Sequence, residues 1–267
     1  MILTSENYYS AEANKEYLSV SQYKDFILGC EAKAVAKLNG IYEQEKTDAL
    51  LIGSYVDAWC EGNLDNFKIE YSDYIYSKSS KKDKVLLSKF QKAEEVIKII
   101  QNDKKLMKAL DGEKQKIFTS ELYGAKWKIK IDNYNPNAGF FSDLKVMAGL
   151  YDRFYNPLTR SYENFVSHYG YDLQMAIYAT IEKLATNREK YLEPYLVVIT
   201  KENPSDKAIL KGFLQDIELI MFDIESNIPR ILGLKSGEIK PNACGKCDYC
   251  RQVKETKIMD YRLLLEE

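Results

Sequence analysis

Asp143 and Lys145 sit two apart in the run Phe140 to Val146, whose composition predicts a strand, so both side chains share a face while Leu144 takes the other. The run before it, Lys126 to Tyr134, alternates: Trp127, Ile129 and Ile131 on one face, Lys128, Lys130 and Asp132 on the other. Asn135-Pro136-Asn137-Ala138-Gly139 supplies the turn between them. Folded back on itself, this hairpin brings Asp132, Asp143 and Lys145 together at one end of a small sheet. Two carboxylates, completed by water and phosphate oxygens, form the hard oxygen shell that Mg²⁺ or Mn²⁺ takes. Such a centre activates water and neutralises charge on a phosphoryl group, and a neighbouring lysine orients the attacking water. Asp-Leu-Lys is a common tripeptide, and alone it reads first as a surface ion pair beside a turn-capping Asp132.

A second set is the run Cys244-Gly-Lys-Cys247-Asp-Tyr-Cys250. Its C-x₂-C-x₂-C spacing suits a [4Fe–4S] cluster, whose corners accept ligands from one short loop. Zinc is the alternative, since four thiolates also close a structural site. No fourth ligand follows, so Cys30 is the first candidate and Cys60 the second. Either metal joins the two ends of the chain and acts structurally. Without a metal, Cys30 reads as a small core residue. The single histidine, His168, reads as a loop or helix-start residue, which leaves little for Ser–His or Cys–His catalysis. Gly-x₄-Gly-Lys-Ser/Thr does not occur, against an ATP-driven helicase.

The elements that must position these groups follow from periodicity. Ser19 with Gln22 predicts a capping box. Behind it Tyr23, Phe26, Ile27, Cys30, Ala34 and Leu38 predict one helix ending at Asn39-Gly40. Further helices are predicted from Asp48 to Glu61, from about Lys84 to Ile100, from about Tyr169 to Leu184, and from Gln215 to Leu234. Pro229 should kink or break the last of these. Ile117 to Tyr123, Lys126 to Tyr134 and Phe140 to Val146 predict a β-meander. Tyr195 to Thr200 predicts another strand, with Ala208 to Phe213 beside it. The fold class is therefore α/β: a small mixed central sheet flanked by helices. One domain is expected over residues 1–267, with a helical part over 1–112, a core over 113–235 and a cysteine segment over 241–251. Residues 77 to 84, rich in Ser and Lys, read as an exposed loop.

Hydrophobic residues at 45% and charged residues at 29% suit a chain able to bury a core. A net charge of −2 argues against a nucleic-acid coat held by bulk charge, though not against a local basic groove. The 21 tyrosines suit core packing first and base stacking second. No apolar run reaches membrane-spanning length and no secretion signal is evident, so a cytoplasmic location with reduced thiols is expected.

The ordered set Asp132, Asp143-Leu144-Lys145 and Gln174-Met175-Ala176-Ile177-Tyr178 resembles the PD-(D/E)XK nuclease superfamily, and most closely phage and prophage exonucleases of the exodeoxyribonuclease VIII type. The resemblance spans roughly Ser19 to Arg251 and implies a restriction-endonuclease-like core. It implies that Asp132, Asp143 and the Leu144 carbonyl bind the metal, that Lys145 assists the water, and that Gln174 and Tyr178 face the DNA backbone or the metal. Gly53-Ser54-Tyr55-Val56-Asp57 stands where relatives carry Gly-X-X-X-His, with Asp57 as a harder ligand in place of His. Glu121 stands where many relatives carry an acid. The cysteine layout is similar to that of iron–sulfur nucleases of CRISPR adaptation and of a helicase–nuclease subunit. The resemblance implies digestion of linear double-stranded DNA from an end, 5′ to 3′, in a bacterial host cytoplasm, with a single-strand annealing protein as partner and homo-oligomeric rings among relatives. Two readings stay beside it: a DNA- or protein-binding module without catalysis, and an end-trimming nuclease of the adaptation type.

Overall fold

The computed structural model describes residues 1–77, 85–157, 159–256, 258 and 260–262; most of the predicted Ser/Lys loop, from 78 to 84, lies outside them. Helix α1, Ala11–Glu16, is capped by the Ser10 side chain and precedes a two-residue strand, β1, Leu18–Ser19. Ser19 is also the N-cap of α2, Val20–Ile27, and the predicted capping box with Gln22 is present. The expected single helix is instead two. The chain breaks over Leu28 to Cys30 before α3, Glu31–Leu38, and Gly29 lies so close to Asp25 that a Cβ there would meet the Asp25 carbonyl oxygen at 2.5 Å. Periodicity missed this break because the apolar spacing continues across it.

Helix α4, Asp48–Cys60, is followed by α5, Leu64–Glu70, α6, Ser72–Ile75, α7, Ser88–Gln101, and α8, Lys104–Ala109. The meander comes next: β2, Glu113–Leu122, β3, Ala125–Asn135, and β4, Phe140–Met147. Strands β5, Arg153–Asn156, and β6, Ser161–Asn164, form a separate hairpin, then α9, Phe165–His168, leads into α10, Tyr171–Thr186. Strand β7, Glu193–Thr200, pairs antiparallel with β8, Lys207–Leu210. Helix α11, Ile217–Ser236, runs through Pro229 without a break, and α12, Asp248–Gln252, follows it.

The sheet is mixed, in the order β1-β3-β4-β7-β8 with β2 on the outer edge of β3. On one face Trp127, Ile129, Phe141, Leu196 and Val198 pack under α2, α10 and α11. On the other Leu144, Val197 and Ile199 pack under α4, α7 and α8. Burial on both faces explains why β7 reads as a near-continuous apolar run.

The hairpin β3–β4 is paired only near its turn, through Asn135↔Phe140, Tyr134↔Phe141 and Asn133↔Ser142. Beyond that the strands separate, and β1 fills the gap by pairing parallel with Trp127 and Lys128. The sheet therefore forks, and the fork opens at Asp132 and Asp143, one step past the last paired residues. Strict alternation also slips here: Ile131 and Tyr134, three apart, lie in the same core. Lys128, expected on an open polar face, is buried at 1% exposure beneath the N-terminal segment, its Nζ 2.5 Å from the Tyr8 carbonyl and 2.8 Å from Asn14 Oδ1.

Candidate active site

The fork opens into a cleft of about 920 Å³ walled by β3, β4, α2, α4 and α10. Asp143 is buried at its floor. Its Oδ2 pairs with Lys145 Nζ, and its Oδ1 accepts from Gln174 Nε2 at 2.6 Å. Gln174 reaches it because α10 starts at Gly170, whose φ of +61° turns the chain sharply and aims the first turn at the fork. Lys24, one turn into α2, donates to Gln174 Oε1 at 3.2 Å. Asp132 Oδ2 accepts the Leu144 backbone N–H at 3.4 Å, so this carboxylate bridges the gap that the diverging strands leave. Its Oδ1 accepts from Gln115 Nε2 at 3.3 Å. Lys145 Nζ also contacts the Leu144 carbonyl, at 3.2 Å, and lies over the Tyr171 ring at 5.5 Å.

Electrostatics follow from burial beside like charge. Burial, then the neighbouring Asp143, pushes the Asp132 carboxyl well above the usual range. Burial likewise takes Asp57 to about 7, with Asp143 and Glu61 adding to the effect against the pull of Lys145. Burial disfavours the Lys145 ammonium, but Asp143, Asp132 and Asp57 outweigh it and hold the group charged. Burial brings Lys24 down to about 8. Carboxyls crowded at the floor, with one lysine among them, hold excess negative potential that a divalent cation would relieve.

The structure thus brings together Asp57, Asp132, Asp143, Lys145, Gln174 and Tyr178, all of which line the cleft. Glu121 is not among them: it is exposed near the far end of the β2–β3 hairpin, paired in the ladder with Lys126. His168 stacks on Phe154 at 4.1 Å and contacts Glu163, away from the fork. Periodicity missed Lys24, Gln115 and the N-terminal Tyr8, which also line the cleft. A signal for Gln115 exists only in the backbone, where a φ of +53° puts a non-glycine residue in the left-handed region beside Asp132. Lys24 and Tyr8 arrive from segments whose own patterns show only a helix and a loop.

The cysteine set also assembles. Cys30, N-cap of α3, meets Cys244, Cys247 and Cys250, and the four Sγ atoms lie within 4.8 Å of one another. Cys60, the second candidate for the fourth ligand, lies elsewhere, its Sγ 3.4 Å from Asn133 Oδ1 and its thiol pushed up to about 11 by burial.

A mixed sheet flanked by helices, with an acidic fork in its central hairpin, is the restriction-endonuclease-like architecture of PD-(D/E)XK proteins. The chain belongs to the family described as a PDDEXK-like domain of unknown function, DUF3799, whose model matches residues 19–253. It is similar, at 42% identity and a TM-score of 0.91, to the crystal structure of a "putative exonuclease" from Eubacterium rectale, over 99% of this chain and 98% of that one. A search of curated proteins returns no match. Family and neighbour together support a nuclease. No described helix is long and apolar enough to cross a membrane.

Proposed function

We propose that the protein is a Mg²⁺-dependent DNA exonuclease acting at the ends of linear duplexes. The observation that carries this reading is the convergence of Asp132, Asp143 and Lys145 at the fork, with Gln174 bonded to Asp143. The donor set fits a hard divalent ion, being carboxylate and carbonyl oxygen with two raised carboxyls. Asp132, Asp143 and the Leu144 carbonyl would hold it, with Asp57 adding a fourth oxygen from α4. The bound ion would supply Lewis acidity toward a phosphodiester.

This chain's own residues do the rest. Lys145, kept charged, holds the attacking water's oxygen in line and offsets charge building on the phosphoryl oxygens. Gln174 fixes the Asp143 carboxylate, and Lys24 steadies Gln174. Tyr178, its hydroxyl held protonated by burial, is a donor toward the DNA backbone. Exposed Tyr9 at the mouth, with Lys130 over its ring at 4.5 Å, offers a stacking surface for an unpaired terminal base. In this reading digestion runs 5′ to 3′ and leaves single strands for an annealing protein. The four cysteines hold a structural metal, a [4Fe–4S] cluster by resemblance or zinc by ligand chemistry.

The test is digestion of one linear duplex labelled at either the 5′ or the 3′ end, beside the same DNA as a closed circle. Early release of 5′ label from the linear form, with the circle intact, is expected. Cutting of the circle would replace the exonuclease by an endonuclease. DNA binding without cutting under Mg²⁺ or Mn²⁺ would leave the non-catalytic module.

A further inference from the structure

The separation of the four sulfurs decides between the two metals that their sequence spacing allows. In a [4Fe–4S] cube each cysteine binds a different iron at a corner, which spreads the sulfurs roughly 6 Å or more apart. A [2Fe–2S] rhomb brings the sulfurs close only in pairs, one pair on each iron. A single tetrahedral ion with bonds of about 2.3 Å instead sets every sulfur pair about 3.8 Å apart. Here Cys30 and Cys250 are 3.6 Å apart, Cys244 and Cys250 3.9 Å, and no pair exceeds 4.8 Å.

The surroundings fix that spacing. The Ala32 N–H donates to the Asn242 carbonyl at 3.1 Å, and the Asn242 N–H to Glu31 Oε2 at 2.8 Å. Lys33 pairs with Asp248 at 2.7 Å, and the Tyr42 hydroxyl donates to the same carboxylate. Admitting a cube means driving Cys250 from Cys30 by more than 2 Å, against the Asp248 contacts that hold α12 and the Asn242 bonds that hold the segment before it. Backbone N–H groups also point at sulfur: Cys244 N–H at Cys30 Sγ, 3.4 Å, Cys247 N–H at Cys244 Sγ, 3.3 Å, and Cys250 N–H at Cys247 Sγ, 3.4 Å. Such donors stabilise the negative charge of four thiolates on one divalent ion.

We infer that Cys30, Cys244, Cys247 and Cys250 hold a single tetrahedral zinc ion, and that the [4Fe–4S] cluster does not fit this site. Zinc is favoured over one iron because divalent affinity at such ligands rises from iron to zinc. The ion clasps the C-terminal segment to the start of α3, the helix that follows α2 in the chain.

Elemental analysis of the whole protein, purified anaerobically without added metal, tests this independently of any nuclease activity. About one zinc per chain, no acid-labile sulfide and no visible absorption are expected. A brown protein with iron and sulfide overturns the inference, as does a single iron without sulfide. Cys247→Ser, at the more exposed side of the site, should lower zinc content more than tenfold, and Cys60→Ser should leave it at the wild-type level. Because the zinc content of the unaltered protein is read first, a variant that misfolds does not decide the result. Zinc loss from Cys60→Ser with retention in Cys247→Ser contradicts the ligand set.

Discussion

At the scale of single residues, Gln115 and Asp57 carry tests that the fork alone does not. Gln115 adopts φ +53° and donates to Asp132, so its conformation is held for what its side chain does. Gln115→Gly should relieve strain worth about 1 kcal/mol while freeing the Asp132 carboxylate. A higher Tm with nuclease kcat down about tenfold and KM for DNA unchanged is expected; unchanged kcat would remove Gln115 from the site. Asp57 has a folded-state pKa near 7, against an ordinary value near 4. Between those values the folded protein binds the extra proton, so metal-free stability should fall as pH rises from about 4 to 7. Above 7 the buried charge remains, and a divalent ion relieves it. Thermal scans should show Mg²⁺ raising Tm more at pH 8 than at pH 5. An equal rise at both would separate Asp57 and Asp132 from the metal.

At the scale of elements, the fork depends on a short strand and its supports. Strand β1 has only two residues, and α1 and the loop behind it are anchored by Lys235, whose Nζ donates to the carbonyls of Asn14 and Tyr17 and to Gln22 Oε1. Lys235→Met keeps the stem but takes the donor from the Tyr17 carbonyl, while the Asn14 carbonyl keeps Gln22 Nε2 and Gln22 Oε1 keeps the Ser19 N–H, which should cost about 1–3 kcal/mol in urea unfolding. A loss below about 0.5 kcal/mol would mean that water replaces it. Most elements were legible. Strand β3 and helices α7, α10 and α11 follow from periodicity, β7 and α4 from their apolar runs, and the capping box from its Ser19–Gln22 spacing. The break at Gly29 was not, because it rests on backbone proximity to Asp25. Nor was the burial of Lys128, which depends on a covering segment far away in sequence. Asp132, Asp143, Lys145, Gln174 and Tyr178 were found in sequence as an ordered motif. Lys24, Gln115 and Tyr8 are set by tertiary approach and left no pattern. Glu121 failed because a strand position upstream of an acid says nothing about which end of a hairpin faces the cleft.

At the scale of the molecule, two metal positions would divide the work. The cysteine clasp joins residue 30 to residues 244–250 across a closed loop of most of the chain, so its removal frees a long segment. A strong zinc chelator should lower Tm by several degrees while added Mg²⁺ fails to restore it; no change would leave the clasp without a stabilising role. The fork, by contrast, should exchange its ion freely and govern rate. The claim that it is the catalytic centre is tested most directly by Asp143→Asn, which keeps the side chain's shape and removes its charge. Wild type and variant, matched in secondary structure and zinc content, are compared on a linear duplex with Mg²⁺. The account predicts that the variant is slower by about 10³-fold. Equal rates would place the chemistry outside the fork.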